Sequence, residues 1–286
     1  MPDPIPWTAA DAAAWITVPR ESDDKYARGV VGFATGSVRY PGAAVIGVDA
    51  ALHAGIGMVR YSGPDSVGRL VLARRPETVL GSGRAQAWVL GSGMEAQPGQ
   101  SRARDLVPEP AANARLSPAA GTAFVLDAAA IGASPTDLGP TIVTPHAGEL
   151  ARLLGTTTTE VLGAPIRAAQ TAASILDAAV LLKGATTRVV LGDRVVAVHE
   201  ATPWLATAGA GDSLAGILGA LVASRAARGP VDLDALVSLG ATAAFVHGRA
   251  ARLAARCAPD GSGGGPFTIL ELNARIPEAI RGILAA

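Results

Sequence analysis

Trp204-Leu-Ala-Thr-Ala-Gly-Ala-Gly-Asp-Ser-Leu-Ala-Gly-Ile-Leu218 joins a loop of small residues to a helical pattern, and the fold is read outward from it. Leu214, Ile217, Leu218, Leu221 and Val222 fall at i, i+3, i+4, i+7 and i+8, the spacing of a helix with one buried face. Gly209, Ala210 and Gly211 lead into that helix, which places Asp212 at or just inside its start. The first amides of a helix lack intrahelical partners and sit at the positive end of the macrodipole, so such a turn attracts anions. Two readings follow for Asp212. It caps the helix, or it is a carboxylate poised against a group that is being phosphorylated in an anion hole made by residues 209–211.

The rest of the chain alternates strand and helix. Val30–Ala34 reads as a buried strand, residues 43–54 as a helix entered through Pro41 and Gly42, and Met58–Tyr61 as the next strand. Strand, helix and strand in that order make a βαβ unit and imply a parallel sheet. Further strands are expected at Ala87–Leu90, Phe124–Leu126, Thr141–Val143 and Ala179–Leu182. A hairpin is expected over Arg188–Leu191 and Val195–His199, turning at Gly192-Asp193. Long helices are expected over about 159–178 and 231–256, with a last one from about 273. A short helix around Ala9–Trp15 lies in an otherwise irregular lead-in, residues 1–24, before a single domain over 25–286. Glycine and polar motifs cluster at strand C-terminal ends, where open α/β sheets bind ligands.

Composition removes several function classes. Of 286 residues 49% are hydrophobic and 17% charged, as in a globular chain, and Lys plus Arg equals Asp plus Glu at 24 each. No net field favours nucleic acid or an anionic membrane. The single cysteine, Cys257, excludes an intramolecular disulfide and a thiol-rich metal site and reads as a packed residue on a helix. No window reaches the roughly 18 apolar residues of a spanning helix. The first residues lack a signal-peptide pattern, so the expected location is the cytoplasm.

Each remaining motif has a functional and a structural reading. Lys183-Gly-Ala-Thr-Thr187 at a strand end either offers a charge, amides and hydroxyls to a nucleotide or only enters the hairpin. His146 in Pro-His-x-Gly-Glu either contacts a substrate or belongs to a helix start capped by Thr144 with Pro145 at N1. Asp127 either orders a magnesium-bound water or caps the following Ala-rich segment. Gly91 and Gly93 form a close-approach loop or merely a turn. His53, His199 and His247 read as packing or surface residues. Serine-hydrolase and dinucleotide-Rossmann readings fail for want of Gly-x-Ser-x-Gly and Gly-x-Gly-x-x-Gly.

Jointly these segments resemble the ribokinase-like ADP/ATP-dependent NAD(P)H-hydrate dehydratases, in particular the bacterial ADP-dependent type. The resemblance is carried by Lys25-Tyr-Ala-Arg-Gly29, Gly36 through Tyr40-Pro-Gly-Ala-Ala44, Ala54-Gly-Ile-Gly57, Leu90-Gly-Ser-Gly93, Val125-Leu-Asp127, Thr144-Pro-His-Ala-Gly-Glu149, Leu182-Lys-Gly-Ala-Thr-Thr187 and Ala206-Thr-Ala-Gly-Ala-Gly-Asp-Ser213, in family order. It implies a three-layer α/β sandwich with a mostly parallel central sheet, without the family's separate epimerase domain. It implies repair of (S)-NADHX or (S)-NADPHX, with magnesium and with ADP, or alternatively ATP, as phosphoryl donor. Ala43, Gly93, His146 and Asp212 would contact the hydrated dinucleotide. Lys183, Gly184, Ala185, Thr186, Thr187 and Gly211 would contact the adenine nucleotide. Asp212 would be the base, and the amides of Gly209, Ala210 and Gly211 would stabilise the transferring phosphoryl group. A tetramer is implied as well. The chain departs from the family at Ala129, where a second acid is usual, and at Ala210, where threonine is commoner. A kinase of a small alcohol or vitamin precursor and a nucleotide-binding protein without turnover are the alternatives.

Overall fold

The structure, a computed structural model, describes residues 3–81, 83–94, 121–132 and 139–286. The first half contains strand β1 (Ile5–Pro6), helix α1 (Ala9–Trp15), β2 (Val30–Ala34), α2 (Gly42–His53), β3 (Met58–Tyr61), α3 (Asp65–Arg74), β4 (Val79–Leu80) and β5 (Ala87–Leu90). Then come β6 (Ala123–Leu126), β7 (Thr141–Val143), α4 (Ala147–Leu154), α5 (Thr158–Gly163), α6 (Pro165–Leu176) and β8 (Ala179–Leu182). The chain closes with β9 (Thr187–Leu191), β10 (Arg194–Val198), α7 (Ala210–Ala226), α8 (Leu233–Ala255) and α9 (Ile269–Leu284).

Among the described residues the strands form one sheet in the order β1-β10-β9-β8-β7-β6-β5-β2-β3-β4. Pairing is parallel from β8 through to β4, and antiparallel only around the β9–β10 hairpin. The expected mostly parallel sheet is therefore the observed one. Although these strands are buried on both faces, side-chain alternation still divides the core. Val31, Phe33, Val89 and Val125 pack with α2, α7, α8 and α9 on one face, while Val30, Trp88, Leu90 and Phe124 pack with α4 and α6 on the other. Helices on both faces complete the three layers. No helix of the described residues is long and apolar enough to cross a membrane.

Several elements differ from the sequence reading, each for a local reason. Helix α7 is buried on every side from Ser213 to Val222, not along one face, because Ala215, Gly216, Gly219 and Ala220 let neighbours approach between its larger residues. The helix expected over 159–178 is two helices, since Pro165 starts α6 afresh after Ala164. Helix α9 begins at Ile269, where Thr268 and Glu271 form a capping box, and it continues through Pro277. Cys257 lies beyond α8, past the left-handed Arg256, and is half-buried in a loop. Strand β1, helix α3 and strand β4 escaped notice; the two strands have two residues each and pair only at the sheet's edges.

The topology fixes where a ligand can sit. From β2 the chain steps outward to β3 and β4, then returns to β5 on the other side of β2 and runs through β6, β7 and β8. The loops that leave β2 and β5 therefore diverge, opening a crevice at the carboxyl ends of the strands. A hydrogen bond from the Gly36 amide to the Ser92 carbonyl (2.7 Å) ties the two loops at its base. Gly91 turns the chain there with φ +99°, and a Cβ on it would lie 2.1 Å from the Asp127 carbonyl oxygen. Gly91→Ala is expected to lower the urea midpoint by the equivalent of about 2 kcal/mol or more, the cost of strain and clash together. An unshifted midpoint would show that the loop relaxes freely.

Candidate active site

Helix α7 starts at the crevice. Its cap is Gly209, held at φ +89°, where a Cβ would meet Ile46 Cδ1 at 2.8 Å. Only glycine meets both demands without strain. No amide of this turn donates to the Asp212 side chain, so the reading of Asp212 as the helix cap is overturned. Ala210 donates to the Thr207 carbonyl at 3.4 Å and Ser213 to that of Gly209 at 3.0 Å. The amides of Gly211 and Asp212 between them have no backbone partner among the described residues, which leaves two donors aimed out of the helix end.

Asp212 is partly buried, and its carboxyl is pushed up to about 7, first by burial and then by the Asp127 carboxylate, against the opposing pull of Lys183. A carboxyl poised near neutrality exchanges protons readily at working pH.

Asp127, at the end of β6, is almost wholly buried and does not cap the turn that follows it. Ser92 donates to its Oδ2 at 2.8 Å, Thr144 to its Oδ1 at 2.7 Å, and Lys183 Nζ lies 2.9 Å from Oδ1. Burial alone would raise this carboxyl. The Lys183 charge and these three hydrogen bonds prevail and hold it below the usual carboxylate range. Lys183 in turn is raised by Asp127, Glu149 and Asp212 against the opposing effect of its own burial, and Glu149 Oε2 lies 3.7 Å from its Nζ. The ammonium is thus fixed over the first turn of α7, where a Cβ on Gly211 would come within 3.3 Å of it.

Thr144 is not the cap of α4. His146 is: its Nδ1 accepts from the amides of Gly148 (3.0 Å) and Glu149 (3.2 Å), and Glu149 accepts from the His146 amide at 2.8 Å. An Nδ1 that accepts carries no proton, so the exposed ring's donor is its Nε2–H, which lies 3.6 Å from Glu149 Oε1. The structural reading of this motif holds, with the cap moved by two residues.

A cavity of about 360 Å³ opens beside the turn. His146, Lys183, Gly184, Ala185, Thr187, Ala210 and Gly211 line it, against apolar walls from Val198, Leu205, Leu214 and Ala244. Thr186 is turned away, with its hydroxyl 3.3 Å from His199 Nδ1. Ala43 and Gly93 meet each other at the switch point, since a Cβ on Gly93 would lie 2.5 Å from that of Ala43. The sequence reading missed Ser92 and Thr144 as partners of Asp127. It also set aside His247, which lines the cavity, is pushed down to about 4 by burial and then by Lys183, and has an unpartnered Nε2. Ser92 could have been found from its place between two strand-end glycines; nothing in the alanine-rich pattern around His247 signals a cavity.

The described residues do not by themselves form a resident metal site. Among the described residues no three His, Cys, Asp or Glu side chains converge on a common point. The oxygens of Asp127 are already engaged by a lysine and two hydroxyls.

Residues 31–259 match the family described as NAD(P)H-hydrate dehydratase. The chain is 38% identical to the bifunctional NAD(P)H-hydrate repair enzyme Nnr of Mycobacterium leprae, over 97% of this chain and 55% of that one, so it spans about half the length of that curated relative. It is 34% identical to the ADP-dependent (S)-NAD(P)H-hydrate dehydratase of Xanthomonas campestris, over 93% of this chain and 92% of the other. Among solved structures, the ADP/ATP-dependent NAD(P)H-hydrate dehydratase of Bacillus subtilis, co-crystallised with ATP and magnesium, superposes with a TM-score of 0.79 at 22% identity, over 98% of each chain. The ribokinase-like fold is thereby shared.

Proposed function

The chain belongs to the NAD(P)H-hydrate dehydratase family, and from that premise we propose that it converts (S)-NADHX or (S)-NADPHX back to NADH or NADPH at the expense of ADP. The observation that carries the proposal is the near-neutral Asp212 carboxyl beside two free helix amides and the fixed Lys183 ammonium. Asp212 takes the proton of the ring hydroxyl. The freed oxygen attacks the terminal phosphorus of ADP, the phosphoanhydride bond breaks, and AMP leaves. Departure of phosphate from the phosphorylated carbon, with loss of a proton from the neighbouring carbon, restores the ring double bond.

The chain's residues divide this work. The amides of Gly211 and Asp212 and the Lys183 ammonium face charge that develops on the transferring phosphoryl group. The lined cavity holds the adenine nucleotide, with Lys183, Gly184, Ala185, Thr187 and Gly211 along it and Thr186 turned aside, while Ala43, Gly93 and the Nε2–H of His146 bound the hydrated dinucleotide. Among the described residues no set of three acids, histidines or cysteines would hold magnesium unaided, so Asp127 and Asp212 would act on it only together with the nucleotide's phosphates. The ion's contribution would be charge neutralisation on those phosphates. We further propose a cytoplasmic homotetramer; light scattering after size exclusion would test the assembly by finding four chains per particle.

Product analysis separates this reading from a kinase of a small alcohol. Dehydration yields one AMP and one free phosphate for each reduced nucleotide recovered. A stable phosphorylated product without recovery would contradict it. The proton role of Asp212 also sets a pH profile. Since the carboxylate is the active form, kcat/KM is expected to rise with pH and level off above about 7. A profile flat from pH 5 to 8 would remove Asp212 as the base.

A further inference from the structure

A chain of buried polar side chains runs from the protein's flank to the residue next to Asp212, and nothing in the reaction as described uses it. Ser213, Asn273 and Asp49 are each wholly buried. Ser213 Oγ donates to Asn273 Oδ1 at 2.6 Å. Asn273 Nδ2 donates to Asp49 Oδ2 at 2.9 Å and to the Ile46 carbonyl at 3.2 Å. Asp49 is anchored at its far side by Arg74 Nε (3.0 Å) and Arg75 Nε (2.8 Å) and faces His53 Nδ1 at 3.4 Å.

An amide is the one side chain suited to this junction, because it must donate to a carboxylate and a carbonyl while accepting from a hydroxyl. A carboxylate at 273 would face Asp49 at 2.9 Å with like charge, and an aliphatic side chain would leave both neighbours unlinked. The bridge joins the two helices whose starts face the crevice. Helix α2 begins beside Ala43, and helix α7 begins with the anion-hole turn. Around it the backbones of the two helices touch, since a Cβ on Gly216 would lie 2.2 Å from the Gly47 carbonyl oxygen, and Ile46 and Ile269 press on Gly209.

The geometry points to Asn273 as a positioning residue: its three hydrogen bonds fix the turn that carries Asp212 against the helix that carries Ala43. It touches neither substrate. It acts through Ser213 and the α2 backbone, so its loss loosens the alignment of the carboxylate with the bound hydroxyl and leaves the nucleotide cavity intact. A misplacement of about 1 Å far from the reacting atoms is enough to slow a reaction about 100-fold.

The inference rests on the dehydratase reading for its turnover arm and is independent of that reading in its exchange arm. The test uses the full chain as Asn273→Leu, with Ser213→Ala as the milder cut of the same link and their double variant. Leu176→Ala, in the opposite core layer, is the control for a general loss of stability. At a temperature where circular dichroism shows all of them folded, kcat is expected to fall at least about 10-fold in both single variants, with KM for ADP within about twofold of the parent. The double variant should lose no more than the worse single one, as for two cuts of one link. Hydrogen exchange of the 205–216 segment should quicken in Asn273→Leu and not in Leu176→Ala.

Parent-like kcat and parent-like exchange in folded Asn273→Leu would overturn the inference, and so would unchanged exchange with kcat falling equally in Leu176→Ala. A parent chain without turnover, but with faster exchange in Asn273→Leu, would uphold the positioning role while removing the dehydratase reading.

Discussion

Asp212→Asn is expected to lose between about 100- and 10,000-fold in turnover while keeping the fold, the range that removal of a general base commands. Asparagine keeps the shape of the side chain and the free amides of its turn, so ADP affinity measured by calorimetry should change little. The stability of this variant carries its own sign. Asp212 titrates near 7 in the folded chain against an ordinary value of 3.8. Unfolding therefore releases its proton more easily, and the parent loses stability as pH rises from about 4 through 7. Asparagine has no proton to lose, so the variant should be at least as stable as the parent at pH 8, and its advantage should vanish below pH 4. A variant that kept most of its turnover would return Asp212 to a structural role, and one markedly less stable at pH 8 would mean that the carboxylate has partners it does not show.

Lys183→Met should have the larger effect on stability. It removes the cation from a buried carboxylate, a change that typically costs about 3–5 kcal/mol, because Asp127 keeps only the hydroxyls of Ser92 and Thr144. Asp127 would then be driven toward its protonated form. Two effects on chemistry follow. The phosphates lose a fixed charge, which weakens ADP binding. Asp212 loses the one attraction that holds its carboxyl down, and it also loses repulsion in proportion as Asp127 becomes neutral. Turnover should fall at least as far as in Asp212→Asn at neutral pH. Adding Asp127→Leu to Lys183→Met should recover much of the stability, since no unpaired charge stays buried, and none of the ADP affinity. Recovery of both would show that Lys183 serves the core alone.

Much of the fold was legible because its signals are local. Val30–Ala34, Ala87–Leu90 and Ala179–Leu182 are apolar runs bounded by glycine or turn residues, and all three are strands at those positions. Edge strands of two residues carry no period to read, so Ile5–Pro6 and Val79–Leu80 escaped notice. Pro165 restarts the helix inside a pattern whose helical period runs on without a break, and the capping box Thr268–Glu271 starts α9 ahead of the expected residue 273. At the site, Lys183, His146, Asp127 and Asp212 stood out because each ends a strand or starts a helix. What could not be read was who partners whom. Asp127 meets Lys183 across 56 residues of chain, and Ser213 meets Asn273 across 60. Contacts at that separation are products of the sheet order, which no single segment encodes. The same gap explains why a capping role looked as natural as a catalytic one for both Asp127 and Asp212 until their neighbours were in place.

The most direct test is recovery of the reduced nicotinamide absorbance from enzymatically prepared hydrate, with the intact chain, magnesium, and ADP or ATP in parallel. Recovery of the (S) epimer's share of the hydrate is expected, dependent on the nucleotide and nearly abolished in Asp212→Asn. Folded chain that binds ADP yet returns no reduced nucleotide with either donor would contradict the proposed function.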